Sequence, residues 1–237
     1  MRVGASRMQR RILHTSDLHL ESLANRSCHS LEALVSLANQ ANVDLVIVAG
    51  DLFDHNRVDD SLVSFVLEQL QRLPAYVVIL PGNHDCLVSG SVFERAGLWE
   101  NCTNIRVFKA PHGETLDLPD MGISLWGKPM GYYEACAQPL AGIPQPEENG
   151  RWHIAVAHGY YVDGEPPLFP SYNITKEEIV TSGYDYIALG HIVDFRCVHS
   201  GSVKAYYCGS PSISGTVAIV DLAEEIGVEV TCYSLMK

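Results

Sequence analysis

Residues 77–86 read VVILPGNHDC: four apolar residues, a Pro-Gly turn, then Asn83, His84 and Asp85 in succession. A short β-branched and aliphatic run closed by Pro-Gly predicts a buried strand, so three polar side chains stand at its C-terminal end. The same unit recurs upstream. RILHTSDLHL (11–20) and VDLVIVAGDLFD (43–54) each join an apolar run to a polar tip. Between the tips lie helix-like stretches. In SLEALVSLANQA (30–41), Leu31, Leu34, Val35 and Ala38 share one face, and in VDDSLVSFVLEQLQRL (58–73), Leu62, Phe65, Val66 and Leu70 do so, with Asp59 or Asp60 placed to cap the helix. Strand, helix, strand, helix, strand with near-continuous apolar strands predicts a parallel sheet covered on both faces.

The second half has a different grain. RWHIAVAHG (151–159) and YDYIALGHI (184–192) again read as buried strands with polar tips, separated by the aromatic- and Pro-rich YYVDGEPPLFPSY (160–172) and a short helix candidate, TKEEIVTSG (175–183). DFRCVHSGSVKAYYCGS, GTVAIVDL and GVEVTCYSL then look like short antiparallel strands joined by Gly and Ser turns. The expected fold class is α/β, a four-layer αββα sandwich of two mixed β-sheets flanked by helices. No internal repeat or low-complexity segment is visible. Residues 1–9 are expected to be a disordered leader, and 10–237 a single domain.

Composition narrows the function. Sixteen Lys and Arg against 28 Asp and Glu give a formal charge of −12, a field that repels nucleic acid and anionic membrane. Any phosphate-bearing ligand must be held locally. Seven scattered cysteines without a C-x-x-C pair point to reduced thiols in a cytoplasmic protein. No apolar run is long enough to span a membrane.

Strands buried along their length and polar only at their C-terminal ends bring those tips together at the edge where α/β proteins bind ligands. Here the tips carry Asp17 and His19, Asp51 and Asp54, Asn83, His84 and Asp85, His158, and His191. Taken singly, each Asp could cap a helix and each His could be a hydrogen-bonded structural residue. Caps, however, do not call for four imidazoles. Mixed imidazole and carboxylate donors suit manganese, iron or zinc better than a calcium or magnesium cage. Asp-x-His in an extended segment would turn both side chains to one ion. Asp51 on the neighbouring strand could bridge two ions, with the amide of Asn83 as a neutral ligand.

In the order D-x-H, G-D-x-x-D, G-N-H-D, H-G and G-H, the sequence resembles the calcineurin-like metallophosphoesterase superfamily from Asp17 to His191. HTSDLHL, VAGDLFD, PGNHD, YDYIALGHI and the later YYCGSP resemble its SbcD-like branch, nuclease subunits of double-strand-break repair. The resemblance implies two divalent transition-metal ions, most simply manganese. Asp17, His19 and the bridging Asp51 would hold the first, and Asp51, Asn83, His158 and His191 the second. It implies in-line attack by a metal-bridging hydroxide on a phosphate ester, most simply as a phosphodiesterase or nuclease. His84 would be the proton donor, oriented by Asp54, and Asp85 would hold the turn. The family usually has G-H-x-H where this chain has Val193, so the first site is expected to be weak; Asp194 and His199 are poorer substitutes.

Cys86 reads as a small buried residue. Tyr160, Tyr161, Phe169 and Tyr172 could stack a base or pack their loop, and KPMGYYEACAQP (128–139) belongs to the expected rim. Net charge does not favour nucleic acid, and the chain end at Lys237 is expected to leave little room for further DNA-binding or partner-docking segments. Two other readings stay open: a small-molecule or nucleotide phosphatase or phosphodiesterase without DNA function, and a metal-binding module that has lost turnover. Oligomeric state is not legible.

Overall fold

A computed structural model describes residues 7–95, 97–99, 102–131, 137–164 and 172–235. In chain order the elements are β1 (Arg10–Thr15), α1 (Ser27–Gln40), β2 (Leu45–Ala49), α2 (Asp60–Gln71), β3 (Tyr76–Leu80), β4 (Ile105–Val107), β5 (Glu114–Leu118), β6 (Ile123–Gly127) and β7 (Trp152–His158). There follow β8 (Tyr160–Val162), β9 (Asn173–Thr175), α3 (Lys176–Thr181), β10 (Tyr186–Gly190), β11 (Phe195–Ser200), β12 (Lys204–Cys208), β13 (Thr216–Ala223) and β14 (Gly227–Ser234).

They form two mixed six-stranded sheets, β14-β13-β1-β2-β3-β4 and β11-β12-β10-β7-β6-β5, with β8 and β9 as a separate pair. Strands β1 to β4 are mutually parallel, as are β6, β7, β10 and β12. The period of two along each strand explains the near-continuous apolar runs. Ile12, Ile47 and Val78 meet Ile154, Val156 and Ala188 between the sheets. Their neighbours Leu13, Val46 and Val77 pack outward under α1 and α2. On the far side Ala155, Ile187 and Leu189 pack with Ile179 of α3, completing helix, sheet, sheet, helix.

Leu31, Leu34, Val35 and Ala38 are buried as their spacing predicts, and so are Leu62, Val66 and Leu70, whereas Asp59 stands at the N-cap of α2 without a side-chain capping bond. The short third helix carries a full capping box, Thr175 with Glu178. A buried polar pair, His14 and the Tyr186 hydroxyl, lies between the sheets. Burial pushes His14 down to about 3, so its ring is neutral, and its Nδ1 lies 2.8 Å from the Tyr186 hydroxyl.

Two features differ from the expectation. The tail is not wholly antiparallel: β12 pairs antiparallel with β11 but parallel with β10, while β13 and β14 return to the first sheet beside β1. Arg7 and Met8, expected in the leader, lie against the second sheet. The Arg7 guanidinium sits 4.5 Å over the Trp152 ring and 2.6 Å from Asp185, and Trp152 donates to the Met8 carbonyl. Residues 1–6 lie outside the described residues. Cys28, Cys102, Cys197, Cys208 and Cys232 are free thiols, and no described helix is long and apolar enough to cross a membrane.

Candidate metal centre

Every predicted site residue lies at or just beyond the C-terminal end of a parallel strand: β1 for Asp17 and His19, β2 for Asp51 and Asp54, β3 for Asn83 to Asp85, β7 for His158 and β10 for His191. The first three strands belong to one sheet and the last two to the other, so the site spans the top of the sandwich.

Asp17 and His19 do not converge by strand alternation as expected. The strand stops at Thr15, and both residues are left-handed, with φ of 53° and 48°. Of the five non-glycine residues with positive φ among those described, four are predicted ligands: Asp17, His19, Asp51 and His191. Such backbone costs on the order of 1–3 kcal/mol per residue, and its concentration here marks a site for which geometry is selected over stability. Main-chain bonds hold the first tip to the second: Asp17 N to Gly50 O at 3.0 Å and His19 N to Asp51 O at 3.1 Å. The Ser210 hydroxyl, within YYCGSP, donates to the Asp17 carbonyl at 2.6 Å.

Glycine precedes the polar tips for a steric reason. A Cβ on Gly50 would fall 2.0 Å from His158 Nδ1, and one on Gly82 would fall 2.2 Å from Asp51 Oδ1. The candidate ligands His158 and Asp51 are packed over bare backbone.

Asp51 is the hub. It is 1% exposed and its Oδ1 accepts the His84 amide at 2.9 Å, while its Oδ2 lies 3.2 Å from His158 Nε2 and 4.0 Å from His19 Nε2. Asp17 Oδ1 is 3.8 Å from His19 Nε2, and its Oδ2 accepts the His191 amide at 2.9 Å. Asp51 is shared by two sets whose donor atoms all lie within 4.8 Å of one another, one with His19 and His84, the other with Asp17 and His158. Asn83 Oδ1 lies 2.9 Å from His158 Nε2 and 3.2 Å from His191 Nδ1.

These donors fit a cation. His158 Nδ1 donates to the Ala49 carbonyl at 2.8 Å, which fixes the tautomer and turns the Nε2 lone pair towards two acceptors, Asp51 Oδ2 and Asn83 Oδ1. Acceptors facing acceptors in a buried site require a positive charge among them. Without a metal, a proton takes that part: burial opposes charge on His158, but Asp51 and Asp17 override it and raise the ring to about 10. His191 is lowered by burial and by neighbouring His158.

Asp85 accepts the Gly82 amide at 2.8 Å and the Phe53 amide at 3.0 Å, tying the G-N-H-D turn to the G-D-x-x-D turn, as expected of a structural partner. Burial, then the Asp51 charge, raises it to about 7. His84 is the open member, 42% exposed in its side chain. Its Nδ1 bonds the Asp54 carbonyl oxygen at 2.9 Å and stands 3.5 Å from Asp54 Oδ1. The Asp54 carboxylate is closer to His19 Nδ1, at 3.1 Å, a bond the sequence reading missed; Asp54 therefore orients two rings.

Val193 is half-buried, and its carbonyl accepts the Ser210 amide at 2.9 Å. The extended geometry expected across residues 191–194 is absent, since His191 has φ of 96° and β11 begins at Phe195. Asp194 is exposed, and His199 bonds the Val203 carbonyl within its hairpin; among the described residues neither joins a metal-capable set. Cys86 is buried. Tyr161 packs into the core, Tyr160 is exposed, and the Tyr172 ring stands edge-on to His191 at 6.0 Å. Phe169 and residues 132–136 of the expected rim lie outside the described residues.

Residues 10–195 match the family model described as calcineurin-like phosphoesterase. Among curated proteins, the chain is similar to DNA double-strand break repair protein Mre11 of Methanopyrus kandleri, at 24% identity over 85% of this chain and 48% of that protein. It is similar to the SbcD subunit of the SbcCD nuclease of Escherichia coli K12, at 28% identity over 85% and 60% respectively. It is also similar to the uncharacterized metallophosphoesterase YhaO of Bacillus subtilis, at 27% over 76% and 48%. The chain thus spans about half the length of two of these relatives and 60% of the third. Two solved structures share the fold: TT1561 of Thermus thermophilus, with a TM-score of 0.63 at 13% identity over 96% of this chain and all of that one, and the purple acid phosphatase PPD1 of yellow lupin (Lupinus luteus), with 0.64 at 12% over 98% and 52%. With its strand-end clusters matched by that family model over most of its length, the chain belongs to the calcineurin-like phosphoesterase family, metal-dependent hydrolases of phosphate ester bonds.

Proposed function

We propose that the chain is a phosphodiesterase, acting on nucleotide or nucleic-acid phosphodiesters, with two cations held by Asp17, His19, Asp51, Asn83, His158 and His191 and with His84 as proton donor. The observation that carries this reading is the position of Asp51, buried and shared by two donor sets, with the exposed His84 ring beside it. Bound manganese, iron or zinc ions supply Lewis acidity, lowering the pKa of water towards neutrality and neutralising phosphate charge.

The chain's own residues do the rest. His158, fixed by Ala49 O, and Asp51, fixed by the His84 amide, present their free donor atoms without reorganising. His84, with Nδ1 on the Asp54 carbonyl, keeps Nε2 for proton exchange. A charged His84 gives that proton to the leaving alkoxide, the one step of phosphoryl transfer that needs a proton at a defined atom. The contact of Asp54 with His84 and His19 supports turnover over a module that merely binds metal. Val193 leaves the first ion with fewer protein donors than the second, an open coordination shell.

The relatives named as a nuclease subunit and a break-repair protein support nucleic acid as substrate. The charge of −12 supports small phosphate esters instead. Free cysteines support a reducing, cytoplasmic setting. Metal analysis of protein purified without chelator, with phosphomonoesters, aryl phosphodiesters and single-stranded oligonucleotide as substrates under manganese, tests the reading. Hydrolysis of diesters well above monoesters is expected; monoester hydrolysis alone, or none with metal bound, would overturn it.

A further inference from the structure

A cavity of about 440 Å³ lies beyond the C-terminal end of β6, among His112, Lys128, Pro129, Met130, Pro139 and Ala141. Its size is that of a small-molecule pocket. A second cavity, of about 370 Å³, lies around Arg7, Trp152 and Asp185 at the opposite ends of the strands, away from the candidate site.

The first cavity is wired to the metal centre on two sides. Met130 N donates to Pro81 O at 3.2 Å, and Leu87 N donates to Met130 O at 2.7 Å, so one wall is laced to the loop that presents Asn83 and His84. The opposite wall reaches the His158 tip. Pro139 packs over Gly159, the residue after His158, so closely that a methyl group on Gly159 would overlap its ring. Since β6 and β7 are adjacent parallel strands, the cavity lies beside the strand end that carries His158.

The lining pairs rigid apolar surface with positive charge. Pro129, Met130 and Pro139 supply apolar lining, and Met130 is buried. Lys128 is half-buried, and its ammonium rests on the carbonyls of Gln138 at 3.3 Å and Ala141 at 3.5 Å. Among the described residues these two long bonds occupy two of its three N–H donors, and no carboxylate pairs with the amine. His112 is exposed at the mouth. In a chain of charge −12, a cation held by neutral carbonyls beside an apolar wall suits an aromatic group that carries an anion.

We propose that this cavity is a subsite for the nucleoside attached to the scissile phosphate, with Lys128 taking the next phosphate of the same nucleotide. The proposal rests on the phosphodiesterase reading for its substrate, but its test does not need turnover. Binding of three probes to the manganese-loaded full chain is measured by calorimetry: inorganic phosphate, adenosine 5′-monophosphate and adenosine 3′,5′-bisphosphate. The monophosphate should bind at least ten-fold more tightly than phosphate, and the bisphosphate more tightly again. Ala141→Trp, which fills the cavity, should abolish the first advantage, and Lys128→Glu the second. The half-buried Lys128 position keeps the proposal testable even where Ala141→Trp fails to fold. A monophosphate that binds no more tightly than phosphate, or an advantage that survives its variant, overturns the subsite. If both advantages appear as expected while no diester is hydrolysed, the subsite stands and the phosphodiesterase reading falls.

Discussion

The two ends of the same strands collect carboxylates in opposite ways. At the N-terminal ends of β2 and β10, and on β13 beside the start of β1, three acids have arginine partners: Asp221 lies 2.7 Å from Arg11 Nε, Asp185 lies 2.6 Å from Arg7, and Asp44 accepts the Arg11 amide with Arg10 at 3.9 Å. At the C-terminal ends Asp17 and Asp51 are nearly fully buried, yet among the described residues no lysine or arginine pairs with them; their cationic partners are imidazoles alone. Buried charge without compensation is costly. The protein neutralises acids at one end with its own arginines; at the other, we propose, the charge is left to a bound cation.

The largest effect should come from breaking the hub. Asp51→Asn removes the charge shared by both donor sets; bound metal should fall, and diester turnover with it by about 10³-fold or more, the equivalent of several kcal/mol of transition-state stabilisation. Metal content by emission spectrometry, read beside the rate, checks this; full metal content with lost activity would remove Asp51 from its assigned place.

His84→Ala should separate the two quantities. Its ring is exposed and its anchor is a main-chain carbonyl, so metal content should hold while turnover falls by roughly 10²–10⁴-fold, the usual contribution of a general acid. Parallel loss of metal would make His84 a ligand instead, as its presence in one donor set allows.

A smaller change is expected at Val193. Val193→His adds an imidazole two residues from His191 and should tighten the more weakly held ion by about ten-fold, measured as slower loss to a chelator. Because residues 191–194 bend rather than extend, unchanged retention would mean that position 193 does not present its side chain to the metals.

The least effect belongs to the other end. Arg11→Ala breaks a partly exposed ion pair and should cost no more than about 1 kcal/mol of stability. Metal content should not change. A loss of metal would erase the contrast between the two ends.

Much of this was legible without coordinates. Apolar runs with polar tips recur at β1, β2, β3, β7 and β10 because a strand buried on both faces can show polarity only at its ends, and the mixture of His, Asp and Asn at five such ends indicated metal chemistry. The run from residue 86 to 150 hid three strands, β4, β5 and β6. Two of these are edge strands with partly exposed faces, and such strands carry no continuous apolar signal.

The sequence by itself determined which side chains would meet, since residue type and strand-end position are local properties. Only the tertiary structure decided how they meet. Left-handed backbone at Asp17, His19, Asp51 and His191 is held by bonds to other tips, such as Asp17 N to Gly50 O and His191 N to Asp17 Oδ2. The return of β13 to the first sheet likewise rests on pairing with β1, at the far end of the sequence. Neither conformation is preferred by its own residues, so both follow from contacts that exist only once the two sheets are packed.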